Sequence, residues 1–180
     1  MLPWGHAMVG YFVYSLGHRL RRARHPQCVP ILVLVFGTQF PDLVDKPLSW
    51  TLGILAYGAS LAHSAITFVL VMVGILVLTR PTTNECRLGG AFLVGYGTHI
   101  IGDVIDFAQS GAFDALRFLG WPLLSPPVPE ENRGIATHLL TQDVSDPFFL
   151  FQVGLIGLGV LIYRADGYPC LTTVISREDD

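Results

Sequence analysis

Long apolar blocks, separated by short polar or proline-containing connections, organise this chain. Crossing a bilayer as a helix takes about 20 apolar residues, in a range of roughly 17–25. Ser60–Thr79 ("SLAHSAITFVLVMVGILVLT") and Leu88–Ala108 meet that length, and Pro147–Arg164 is slightly short but strongly apolar. Trp4–His18 is a shorter first segment, and Val29–Phe40 is shorter still, with Pro41 interrupting it. The following stretch, "PDLVDKPLSWTLGILAYGAS", contains Pro47, Gly53 and Gly58. It reads as a broken or partly re-entrant element, which a bilayer tolerates only against protein or water. The pattern predicts an all-α, polytopic membrane bundle of about five helices, one of them broken or re-entrant. Residues 1–164 form a single membrane-embedded domain with a long loop at 109–146, and 165–180 form a polar, mobile tail.

Composition agrees. Of the 180 residues, 51% are hydrophobic and only 14% are charged, whereas a soluble domain carries about 25% charged residues. The formal net charge of −3 gives no reason to expect nucleic-acid binding. Cys28, Cys86 and Cys170 are scattered, with no CxxC, and imply neither a disulfide framework nor a thiolate metal site. The apolar run Leu2–Leu16 precedes its positive charges and lacks a small-residue cleavage site, so it reads as a membrane segment rather than a cleaved leader.

Basic residues set the expected orientation. The densest cationic cluster, "HRLRRARH" at 18–25, is placed in the cytoplasm. With five crossings, Arg80, Arg87 and Arg164 fall on the same side. The 109–146 loop lies outside, carrying Arg117 and Arg133 against Asp114, Glu130, Glu131, Asp143 and Asp146. The N-terminus is then outside and the C-terminus cytoplasmic.

That topology gives the buried polar residues a common address. An acidic or basic residue at mid-span costs roughly 2.5–3.5 kcal/mol on translocon scales, so each one is a functional candidate. His6 opens the first segment, Asp42 and Asp45 end the second, and His63 begins the third. His99, Asp103 and Asp106 occupy the outer half of the fourth. All seven map to the outer side. His99 and Asp103 are i,i+4, Asp106 is i+7 from His99, and Asp42 and Asp45 are i,i+3, spacings that place each set on one helical face. Singly, each has an ordinary explanation: a packing histidine for His99, a turn residue for Asp42, interhelical polar contacts for His63 with Ser60 and Ser64, and a surface residue for His138. Jointly, they match the imidazole and carboxylate ligands of zinc and similar divalent ions, in numbers that suit one or two ions. No HExxH, Walker or dinucleotide motif is present, and "GLIGLG" at 154–159 reads as helix packing.

The sequence His6 … "FPDLVDKPLSW" … "SLAHS" … "GYGTHIIGD", followed by "GWPLLSP", resembles the YdjM family over most of residues 2–124. These are small multi-span membrane proteins described as metal-dependent hydrolases. The resemblance implies His6, Asp42, His63, His99 and Asp103 as the metal-site residues. More remotely, the arrangement is similar to zinc-dependent phospholipase C and related nucleases. Family members often carry an arginine shortly before the "SLxHS" serine, where this chain has Ala59. The expected function is metal-dependent hydrolysis at the outer membrane surface, on a phosphoester such as a lipid headgroup, with zinc as the expected cofactor and the bilayer as the surrounding partner. Asp45 or Asp106 would serve as general base or as a partner orienting a histidine. The rival readings are a cation- or proton-binding transporter, whose site would sit near the midplane, and a structural membrane protein with a polar core.

Overall fold

A computed structural model describes residues 1–21, 25–79, 84–126 and 144–171. Arg80, Glu130, Glu131, Arg133, His138 and Asp143 lie outside the described residues, as does the tail from 172 onward. Among the described residues, five α-helices form the bundle: α1 Pro3–Leu20, α2 Cys28–Lys46, α3 Ala65–Leu78, α4 Asn84–Gln109 and α5 Pro147–Ala165. A π-helical turn, Pro47–Thr51, extends α2, and a 3-10 segment, Phe113–Gly120, follows α4. No strand occurs among the described residues.

Successive helices run in alternating directions. One end of the bundle gathers the start of α1, the end of α2, the start of α3, the end of α4 and the start of α5. Asp166 and Cys28 lie at the other end, where Asp166 meets Arg19 and Arg87 meets Gln27.

The second segment is longer than its apolar run. Pro41 lies inside α2, which continues to Lys46, and with the π turn the span reaches 24 residues, Cys28–Thr51. Asn84–Gln109 and Pro147–Ala165 are also long and apolar enough to cross a membrane. The third segment differs from expectation: residues 60–64 form turns, and α3 starts only at Ala65. Ser64 caps it by accepting from the Ile66 amide (3.1 Å). Its 14 residues contain none that are buried, and Val73, Leu76 and Val77 are exposed in the manner of a lipid-facing helix.

Helices α1, α2 and α4 cross at glycines. A Cβ on Gly95 would collide with the Leu34 carbonyl oxygen, and one on Gly37 would collide with the Phe92 carbonyl. Gly10 of α1 packs just as closely against Thr38 of α2. Such small-residue crossings bring helix backbones together where lipid supplies no hydrophobic drive between them. The crossing lies one turn before Asp42 and one turn before His99, so it sets the separation of the polar side chains above it.

The far end contains a correction to the cysteine reading. Cys28 and Cys170, 142 residues apart, form a disulfide, and Cys86 is free. Spacing could not reveal a pair that meets only through the return of α5. Residues 165–171, expected in the tail, are tied to the bundle. Asp166 is buried and accepts from Tyr11 (2.8 Å), Ser15 (2.6 Å) and Arg19 (2.8 Å), and Cys170 is bonded to the start of α2. Of the glycines at 154–159, Gly159 packs against Met8, while Gly154 and Gly157 meet nothing nearby.

Candidate metal centre

Four elements deliver the polar residues to one end of the bundle. Helix α1 brings His6, α2 brings Asp42 and Asp45, the turn before α3 brings His63, and α4 brings His99 and Asp103. The three histidines and Asp45 are essentially inaccessible to solvent.

Asp45 organises the turn that carries His63. Its carboxylate accepts from the amides of Ser60 (2.8 Å), Ala62 (2.9 Å) and His63 (3.2 Å), and from His63 Nδ1 (2.8 Å). The Tyr96 hydroxyl of α4 donates to the Ala62 carbonyl and anchors the same turn. A carboxylate with these partners is an acceptor only, so His63 carries its proton on Nδ1 and points the Nε2 lone pair inward.

His99 is fixed by a different acceptor to the same effect. Its Nδ1 donates to the Thr38 carbonyl of α2 at 2.6 Å. Pro41, with no N–H, leaves the Gly37 carbonyl without its ladder partner in this stretch of α2. The neighbouring carbonyl, Thr38, faces α4 across the glycine crossing.

The result is a cluster of four inward donors. His63 Nε2 lies 3.2 Å from His99 Nε2, 3.4 Å from Asp42 Oδ1 and 3.4 Å from Asp103 Oδ2. His99 Nε2 lies 3.2 Å from Asp103 Oδ2 and 3.8 Å from Asp42 Oδ1. A tetrahedral ion with ligand bonds of about 2.0–2.1 Å holds its donors about 3.3 Å apart. These five of the six donor–donor distances bracket that edge length, and two imidazole nitrogens with two carboxylate oxygens suit such an ion in chemistry. Four carboxylates, Asp42, Asp45, Asp103 and Asp106, face two ammonium groups, Lys46, whose Nζ is 2.7 Å from Asp42 Oδ2, and the Met1 amine, 3.4 Å from Asp103 Oδ1. The net of two negative charges is what one divalent cation balances.

His6 joins the cluster from the side. Its ring stacks on His99, with centroids 3.9 Å apart and planes at 18°. Its Nε2 is 3.3 Å from Asp103 Oδ1, and its Nδ1 is buried without a hydrogen-bond partner. His6, His99 and Asp103 form one group with metal-ligand spacing, and Asp42, His63 and His99 form another. Both use His99, whose Nε2 has a single lone pair, so this nitrogen serves one ion at a time. Gly102 makes room for His6, since a Cβ there would stand 3.1 Å from His6 Nδ1.

Asp106 lies apart from the histidines. It accepts from the Met1 amine at 2.5 Å, and that amine is 3.4 Å from Asp103 Oδ1. The i,i+3 pair Asp42 and Asp45 does not present both carboxylates to one point: Asp42 meets the Nε2 side of His63 and Asp45 the Nδ1 side. Sequence reading missed Lys46 and the Thr38 carbonyl. The i,i+4 spacing of Asp42 and Lys46 was a visible signal for the first, while nothing in a sequence marks which backbone carbonyl will accept.

The model of the YdjM inner membrane protein family matches residues 1–150, and the chain belongs to that family. No curated protein and no solved structure matches it.

Proposed function

We propose that this YdjM family member is a membrane-embedded, metal-dependent hydrolase acting on a phosphoester, such as that of a lipid headgroup, at the outer membrane surface. The observation that carries the reading is the meeting of two Nε2 lone pairs and two carboxylate oxygens at tetrahedral edge distances. Asp42, His63, His99 and Asp103 would hold a zinc-like ion, with His6, beside Asp103 Oδ1, as a further ligand. A bound ion of this kind lowers the pKa of water toward about 7 and polarises the scissile group. Asp45 keeps His63 in the ligating tautomer, and the Thr38 carbonyl does the same for His99. Of the two candidate bases, Asp106 would be the one to accept a proton from water, because its carboxylate is half-exposed whereas Asp45 is sealed from solvent.

The arginines support an outward-facing site. Arg19, Arg21, Arg87 and Arg164 belong to the end opposite the cluster, which the positive-inside rule assigns to the cytoplasm. The Cys28–Cys170 disulfide sits at that same end, and disulfides persist mainly in oxidising compartments. The proposed orientation follows the arginines, which act from several connections at once.

Elemental analysis of the protein purified in mild detergent, beside His99→Ala, tests the metal, and hydrolysis of bis-p-nitrophenyl phosphate tests the reaction. A stoichiometric divalent metal lost in His99→Ala, together with metal-dependent turnover, is the expected result. Protein that binds no divalent metal when supplied with it would sink the proposal. For orientation, a cysteine at Gly111 should react with an impermeant reagent on intact cells; reaction only after lysis reverses the assignment.

A further inference from the structure

A cavity of about 460 Å³ lies beside the cluster, at the same end of the bundle. Tyr57, Ala59, Phe107, Phe113 and Phe118 line it, and among the described residues Asp114 is the only charged one in the lining. Its size falls within the roughly 300–1,000 Å³ of small-molecule sites. Two features make it part of the site's architecture. Phe118 is a shared wall: it is buried, its ring stands edge-on to the His63 imidazole (centroids 6.2 Å apart, 87°), and it lines the cavity as well. Ala59 directly precedes Ser60, whose amide is held by Asp45. The Ser64 hydroxyl donates to the Trp121 carbonyl at 2.6 Å, locking the turn that bears His63 to the segment that bears Phe113 and Phe118. The same two segments therefore build cluster and cavity together.

We propose that this cavity holds an acyl chain of a phospholipid whose headgroup lies at the cluster, an inference that rests on the hydrolase reading above and names its substrate class. The lining is mostly aromatic and aliphatic, and the lining side chain Phe113 is largely exposed (65%), as suits contact with the bilayer interior. A chain entering from the membrane exchanges lipid neighbours for these side chains, so the fit to the cavity's shape, not escape from water, selects it. Ala59, Gly111, Ala112 and Ala115, the small residues of the lining, set the room available for the chain.

The probe is a lysophospholipid with a photoreactive diazirine midway along its acyl chain, applied to the full-length protein in detergent and competed with unlabelled lysophospholipid. Saturable labelling should map to Phe107, Phe113 and Phe118. Ala115→Phe and Ala59→Trp each occupy cavity space and should cut it by about tenfold or more, the equivalent of about 1.4 kcal/mol of binding. Melting temperature and metal content, measured on the same samples, should stay at wild-type values. Phe113→Ala, on an exposed residue, gives a second variant free of folding risk and should shift the labelling toward Phe107 and Phe118. Labelling that is unsaturable and spread along α3 and α5, or that both filling variants leave intact, would overturn the proposal. Metal content separates the two readings: a metal-free protein that still shows saturable cavity labelling sinks the hydrolase and leaves a lipid site, while a metal-loaded protein without such labelling sinks the lipid site alone.

Discussion

His63 Nε2 and His99 Nε2 stand 3.2 Å apart, and the other nitrogen of each ring is already committed, to Asp45 and to the Thr38 carbonyl. Both rings therefore aim lone pairs at one volume, flanked by two carboxylates. That arrangement is repulsive by itself and becomes favourable around a cation. Chelator should accordingly lower the melting temperature of wild-type protein in detergent. An ion held at a hundredfold over its dissociation constant contributes about 2.7 kcal/mol, or about 5–10 °C for a chain of this size. His99→Ala should melt at one temperature with and without chelator. If chelator leaves the wild type unchanged and His99→Ala simply unfolds, the pair is packing and nothing more.

Asp45 and Asp106 separate orientation from proton transfer. Asp45→Asn removes the charge that holds His63 Nδ1 and three amides, so metal affinity should fall about 10–100-fold. Asp106→Asn touches only the pair with the Met1 amine, so metal content should persist while hydrolysis drops. Competition with a metal-binding dye reads the first and turnover the second; equal metal loss in both variants contradicts the division.

The glycine crossing should tolerate no methyl group. In Gly95→Ala the new Cβ meets the Leu34 carbonyl, a backbone atom that cannot swing aside, and the expected loss is about 1–3 kcal/mol. The shift should also part His99 from Thr38 and weaken metal retention. Gly90→Ala, in the same helix with open space around it, should be neutral or stabilising by up to about 1 kcal/mol. Similar melting temperatures for the two variants would refute the backbone contact.

At the other end, Asp166 holds α1 to the end of α5. Burial disfavours its charge, but hydrogen bonds from Ser15, Tyr11 and Arg19 outweigh it and hold the carboxyl below its usual range. A depressed folded pKa means stability that is complete above the unfolded value of about 3.9 and lost as pH falls through the folded value. Asp166→Asn should cost about 1–3 kcal/mol at neutral pH and flatten the acid limb of the stability profile. A variant with the wild-type acid limb would place that dependence elsewhere.

Much of the bundle was legible because bilayer crossing depends on local composition. Runs of about 20 apolar residues locate the spans wherever they pack, and α4 and α5 fall close to the apolar runs that foretold them. The shared membrane side of His6, Asp42, His63, His99 and Asp103 follows from counting crossings, and the i,i+4 pairing of His99 with Asp103 follows from helical pitch. Tertiary structure alone decided the rest. The Asp45 carboxylate and the Thr38 carbonyl choose the tautomers of His63 and His99, and both choices depend on chain segments meeting across the fold. Cys28 finds Cys170 only because α5 returns beside α2. The start of α3 slips from Ser60 to Ala65 because Asp45 captures the amides of Ser60, Ala62 and His63. Sequence periodicity carries no record of such captures, since a hydrogen bond to a distant carboxylate competes with the local helix ladder and wins only once the helices are in place.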